Sequence, residues 1–317
     1  MISFITQAIR LAAAFLFGST GETIVEKSGH LNLGIPGIMC IGAVGGCLGE
    51  SIYLGSLSSI DAINPFLAVL IPTLFALVFS ALMGVLYSFF TVTLHTNQNI
   101  TGLTITTFGI GFSSYLIQNI DTSGFSKASA CFKTLFPFYS NLGIFGELFL
   151  SYGFLTYLAL IVAIASYIIL KKTRIGMNLR AVGESPATAD AAGISVSCYR
   201  YSATIIGCAI SGLGGLFFIM DFLGGNWEYV VDIIGWLAVA LVIFTLWNPL
   251  IGIFGSFVFS ALYIVSSYVS VPFNVIDIIK MLPYLVTILV LIITSIIGSK
   301  KAQAPSSLGN NYFREDR

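Results

Sequence analysis

Long apolar runs alternate with short polar breaks along this chain. A helix crosses the hydrocarbon core of a bilayer in about 20 residues. Between Asp61 and Asp121 there is no Asp, Glu, Lys or Arg. One helix that long would overshoot the bilayer, so the run folds back, and the polar cluster His95-Thr-Asn-Gln-Asn99 supplies the break. Spans are predicted near 66–94 and 100–118, then near 151–170, 199–220, 232–247, 249–270 and 277–297. Trp247-Asn248-Pro249 is a turn signal that divides the charge-free run beginning at Ile233. The opening MISFITQAIRLAAAFLFGS has no basic start and is interrupted by Arg10, so it reads as a retained first span rather than a cleaved signal. Residues 119–150 mix Gly, Ser, Pro and isolated aromatics and read as an external loop with short or re-entrant elements. The runs are continuously apolar rather than alternating, which excludes a barrel. The expected fold is an all-α membrane bundle of eight to ten helices over 1–298, followed by a polar tail over 299–317.

Composition agrees. Of 317 residues, 56% are hydrophobic and 9% are charged, against about 25% charged in an ordinary soluble domain. The net charge is zero, so nothing points to a nucleic-acid partner. The position of the charges is more informative. Five of the 14 Lys and Arg are Lys171, Lys172, Arg174, Arg180 and Arg200, and four more are Lys300, Lys301, Arg314 and Arg317. Short basic loops stay cytoplasmic, which places 171–198 and the tail inside and 119–150 outside. The five Cys include no CxxC and read as small packing residues. Gly42, Gly45, Gly46 and Gly49, like Gly207, Ser211 and Gly215, have the small-residue spacing that lets helices approach closely in lipid.

No catalytic constellation is present. The two His belong to no HExxH, and neither GxSxG nor GxxxxGK[ST] occurs. No metal or cofactor is expected, and active transport would draw energy from an ion gradient or another polypeptide.

Two polar stretches stand out. In GETIVEKSGHLNLGIPGIM, Gly34, Pro36 and Gly37 interrupt a helix near the bilayer. Interrupted helices are tolerated where they are buried in protein or line a water-filled cavity. Asn32 and Gly34 are candidates for a solute path there, with Glu22, Glu26 and Lys27 pairing among themselves or with headgroups. The alternative is an interfacial turn whose charges face water. The second stretch gathers Asn97, Gln98, Asn99, Thr101 and Thr104, with Phe108 nearby. Amides and hydroxyls suit a neutral hydrogen-bonding solute, and Phe108, Phe112 and Tyr115 suit a ring. Plain helix–helix hydrogen bonding competes with that reading.

The basic segment KKTRIGMNLRAVGESPATADAAGISVSCYRY holds a short helix. Ser185 suits the N-cap, Pro186 the first turn and Gly193 the end. ATADAA has no large apolar residue, so a knob for a cytoplasmic partner competes with a helix lying on the lipid surface.

RIGMNLRAVGESPATADAAGISV resembles the cytoplasmic coupling loop of permeases of ATP-binding-cassette importers. The branch is the ribose and branched-chain amino acid type, nearest the nucleoside permeases. E-x-x-x-E-K-x-G-x-L-N-L-G-x-x-G, NQNITGLTITTFGIGFSSYL and GWLAVALVIFTLWNPLIGIFGSFVF resemble three further family blocks, in the expected order within 18–262. Pro36, Ile233-Ile234-Gly235 and Thr245-Leu246 depart from the usual pattern. The resemblance implies a multi-pass cell-membrane permease without its own ATPase site. It implies docking on an ATP-binding subunit through Arg180, Gly183, Glu184, Ser185, Pro186, Ala189, Asp190 and Gly193. It further implies a second permease chain, identical or similar, and an extracytoplasmic solute-binding protein. A nucleoside is the expected solute, with riboflavin or a simple sugar as alternatives. An ion-coupled secondary transporter is the reading from another class, with Asp232, Asp277 and Lys280 as its ionisable candidates.

Overall fold

The computed structural model describes residues 2–59, 62–133, 136, 142–269, 276, 278–279, 281–297 and 304–314. Asp277, Lys280, Lys300, Lys301 and Arg317 lie outside those residues. Thirteen helices occur among the described residues, and no strand. They are α1 (Ile2–Glu26), α2 (Ile35–Gly55), α3 (Pro65–Ser88), α4 (Gln98–Ile117), α5 (Phe125–Lys133), α6 (Gly143–Phe149) and α7 (Phe154–Lys172). Then come α8 (Arg174–Glu184), α9 (Pro186–Ala191), α10 (Val196–Phe217), α11 (Val231–Phe244), α12 (Pro249–Ile264) and α13 (Leu282–Ile297). Single π-helical turns extend α3 over Phe89–Thr93 and α10 over Phe218–Phe222.

Seven helices are long and apolar enough to cross a membrane, and α11 and α13 are shorter apolar helices. Starts are capped by local chemistry. Asn64, Asn97, Ser185, Ser195 and Asn248 each accept a hydrogen bond from an N–H of the first turn. The break at 245–248 is a sharp one: Leu246 and Trp247 both take φ 55°, and Asn248 then caps α12.

Two helices form the centre. In their most apolar windows α2 is 83% buried and α10 is 78% buried, against 33% for α3, α4, α7 and α12. Small residues make the central crossing possible. A Cβ on Gly42 would lie 2.4 Å from the Gly212 carbonyl oxygen, and one on Gly215 would lie 1.9 Å from that of Met39. The peripheral helices turn apolar stripes outward, such as Phe66, Leu70, Leu74, Val78 and Leu82 on α3. Such stripes are unfavourable in water and suit lipid or a partner helix.

The alternation of helices gathers 27–34, 94–98, 173–195 and 245–248 at one end, which carries the basic loop; 304–314 packs there too. The opposite end holds the described residues of 56–64, 118–153 and 223–230. There, Arg10 of α1 lies 3.1 Å from Asp221 and donates to the Lys133 carbonyl at 3.0 Å.

α1 and α10 extend further than the sequence pattern suggests, and this carries charged residues into the spans. α1 runs to Glu26, α10 starts at Val196, and its π-helical extension carries Asp221. Glu22, Glu26, Glu50, Arg200 and Asp221 are all buried within spans. Asp232, at the start of α11, is therefore one of several ionisable residues on the helices.

Candidate functional site

The segment 27–34 joins α1 to α2, and its Ser28, His30 and Asn32 are buried in protein rather than facing water. Glu22, Glu26, His30 and Asn32 are at most 3% exposed. Glu22 and Glu26 sit one turn apart on α1. The Glu26 carboxylate accepts a hydrogen bond from Trp247 Nε1, and Lys27 Nζ lies 5.9 Å from the Trp247 ring centre. Glu22 Oε1 accepts from Asn32 N at 3.3 Å. The Asn32 side chain closes an Asx turn, accepting from Gly34 N at 2.9 Å, and donates to Cys208 Sγ at 3.6 Å. His30 is held between the Thr204 and Thr91 hydroxyls, at 2.8 and 2.7 Å.

Freed backbone groups of the break are satisfied by side chains of two other helices, α3 and α4. Tyr87 of α3 donates to the Leu31 carbonyl. Gln98 of α4 accepts from Leu31 N at 2.8 Å, and Thr106 donates to the Leu33 carbonyl at 2.8 Å. Irregular backbone within a membrane protein is tolerated where protein satisfies it. The charges are inside because α1 continues past Gly21, where it packs on Gly207 and Ser211 of α10.

Residues of the second polar stretch point in two directions. Gln98 faces inward and is 2% exposed. Asn97, Thr101 and Thr104 line one cavity of about 320 Å³ with Phe90, Thr96, Ile100 and Ile105. Asn99, Thr104 and Phe108 are exposed. The Thr101 and Thr104 hydroxyls donate back to Asn97 O and Ile100 O, each at 2.8 Å; Thr101 also pairs with the Thr96 hydroxyl at 2.9 Å, while exposed Thr104 keeps acceptor capacity. Phe108 stacks on Phe112 with ring centres 5.4 Å apart on the same exposed face.

The basic loop contains one helix that the sequence pattern did not reveal, α8, with Thr173 as its cap. Its Gly183 presses against the Lys27 carbonyl, which brings the loop onto the 27–34 break. α9 follows with Ser185 as N-cap, Pro186 in the first turn and Gly193 at φ 81° beyond its end. Ala189 packs with Val182 and Val196. Ala187, Thr188, Ala191 and Ala192 are exposed, so the free face of α9 is small and uncharged. Arg180 and Glu184 are exposed at its base, and Asp190 is half-buried.

Residues 4–294 match the family model described as the permease component of the branched-chain amino acid transport system. The chain belongs to that permease family. The permease is 29% identical to the nucleoside ABC transporter permease NupC of Lactococcus lactis, over 94% of this chain and 93% of that one. It is also 29% identical to the guanosine ABC transporter permease NupQ of Bacillus subtilis, over 96% and 95%. A putative glucose ABC transporter permease of Haloferax volcanii is 29% identical over 80% of this chain and 74% of its own. The permease is thus the multi-pass, all-helical membrane component of an ABC transporter.

Proposed function

We propose that the permease forms one half of the translocation path of an ATP-driven importer, and that its solute is a nucleoside. The observation that carries this reading is the exposed face of α4. It offers amides, hydroxyl acceptors and a stacked aromatic pair, and the helix carries no charge. Hydroxyls and amides fit a ribose and a base edge, while aromatic rings fit the base plane. Asn97, Asn99, Thr101, Thr104 and Phe108 face the path in this reading. Asn32, Gly34 and Gln98 act on it from behind by fixing the break against which α4 is seated.

A second permease chain, identical or similar, closes the path opposite α4. An ATP-binding subunit receives α9 and its flanks, Arg180, Gly183, Glu184, Ser185, Pro186, Ala189, Asp190 and Gly193. A solute-binding protein delivers cargo at the opposite end. The permease itself does no covalent chemistry in this scheme. It supplies two conformations of different affinity, and the ATP-binding subunit sets their balance. Two of the relatives are named for nucleosides, which supports the choice of cargo, and the putative glucose permease keeps simple sugars as the competitor.

Uptake of radiolabelled guanosine and uridine by cells expressing the permease with its ATP-binding partner tests the assignment. Thr104→Val and Phe108→Ala should each lower uptake by roughly five- to tenfold at unchanged membrane abundance, from one lost hydrogen bond or ring contact. Uptake of glucose or riboflavin with no nucleoside uptake overturns the choice of solute.

A further inference from the structure

Residues 304–314 lie far along the chain from everything they touch. Ser306 Oγ donates to Glu184 Oε2 at 2.7 Å, and Ser307 bonds the Gly183 carbonyl through both its N–H (3.0 Å) and its hydroxyl (2.6 Å). Tyr312 Oη donates to Asp190 Oδ2 at 2.8 Å, and Arg314 Nε lies 3.3 Å from the same oxygen. The Tyr312 ring packs on the Val182, Ala189 and Val196 cluster under α9.

Between these two anchors the segment reaches the base of α4. Asn311 Nδ2 donates to the carbonyls of His95 (2.6 Å) and Thr96 (3.1 Å), and its Oδ1 accepts from Gln98 Nε2 at 3.1 Å. The ring of Phe313 lies 4.6 Å from that of His95. His95 takes φ 52°, so Asn311 secures a turn held in the left-handed region. Gln98 in turn accepts from Leu31 N. One side chain therefore joins the segment, the start of α4 and the 27–34 break.

We propose that residues 304–314 are a strap that makes the coupling helix and the base of α4 one mechanical body, so that a push on α9 reaches the α4 face as motion. α9 has six residues, too few to stand as an independent lever. Without the strap it would be held only by its chain connections to α8 and α10 and by the small Val182–Ala189–Val196 cluster. The strap also occupies the acidic groups of the loop, Glu184 and Asp190, leaving the small neutral face of α9 for a partner. The mechanical role rests on the importer reading; the strap contact itself does not.

The test uses the full-length permease in detergent, with the exposed Cys198 changed to Ser and spin labels on Ala187→Cys and Ile100→Cys. One narrow label-to-label distance is expected. Asn311→Ala, which strips His95, Thr96 and Gln98 of their shared partner, should broaden it. The Tyr312→Phe/Arg314→Ala pair, which removes two of the strap's contacts to Asp190, should do the same. An unchanged distribution in both variants overturns the strap. A second label pair, on α3 and α7, verifies that the bundle is intact in each variant, so broadening of the first pair alone is the supporting result.

In proteoliposomes with the ATP-binding subunit, Asn311→Ala should still hydrolyse ATP but move about tenfold less guanosine per ATP, as expected from losing two or three modest hydrogen bonds. Undiminished transport per ATP overturns the mechanical role. If the unaltered permease neither binds nor depends on an ATPase, the importer reading fails, while the resting distance still judges the strap contact.

Discussion

The residues around the 27–34 break act as a set, and their effects separate from those of the α4 face. Asn32→Ala removes the Asx turn and the contact to Cys208. We expect a loss of about 1–2 kcal/mol, read as a lower unfolding midpoint in detergent, with the ranking of transported solutes unchanged. A changed solute ranking at native stability would put Asn32 in the path instead. His30 gives a pH signature. Burial, reinforced by the Arg200 charge, holds its imidazole down at about 3. Between about 6.5 and 3 the native state binds fewer protons than the unfolded chain, which titrates near the ordinary histidine value. The contribution of His30 is therefore complete above about 6.5 and is lost as pH falls through that window. The unfolding midpoint should decline less steeply with acid in His30→Gln than in the unaltered protein, and equal slopes would contradict the assignment. The sequence showed polar residues here but not their burial. Which side of a helix end faces protein depends on the distant Trp247, Thr91 and Thr204.

At the scale of elements, two glycines of α4 two positions apart should behave oppositely. A Cβ on Gly109 would lie 2.4 Å from the Gly37 carbonyl oxygen, whereas one on Gly111 meets nothing within 4 Å. Gly109→Val should force α4 off α2 and abolish recovery of folded permease. Gly111→Val should fold normally and obstruct uptake, because it adds bulk to the face assigned to the path. Recovery of stable Gly109→Val protein would contradict the packing. Helices of this kind were readable in the sequence: apolar length gave eight to ten of them, and Ser185 and the Trp247-Asn248-Pro249 turn marked two starts. α8 was not, because RIGMNLRAVGE is amphipathic and its apolar side is completed by Leu170, Tyr199 and Ala203 from flanking helices. Ser185→Ala should cost α9 about 1 kcal/mol of cap stabilisation and weaken retention of the ATP-binding subunit during purification. Unaltered retention would show that partner contacts alone hold α9 in shape.

For the whole molecule, the lipid-facing stripes and the basic end assign each helix end to a side, and the buried centre of α2 and α10 gives the bundle a fixed body around which α4 and α9 are arranged. That the basic loop and the external loop lie at opposite ends of the bundle was legible, while the docking of 304–314 on the basic loop was not. Its contacts are scattered hydrogen bonds, one ion pair and ring contacts across more than a hundred residues, and no periodicity records them. The central claim is that α9 lies on the cytoplasmic side and is covered by an ATP-binding subunit. Ala187→Cys in a Cys131→Ser/Cys198→Ser background, exposed to a membrane-impermeant maleimide, tests it most directly. We predict labelling in inside-out vesicles stripped of the ATP-binding subunit, protection when that subunit is restored, and no labelling of intact cells. Labelling of intact cells, or labelling indifferent to the subunit, would contradict the account.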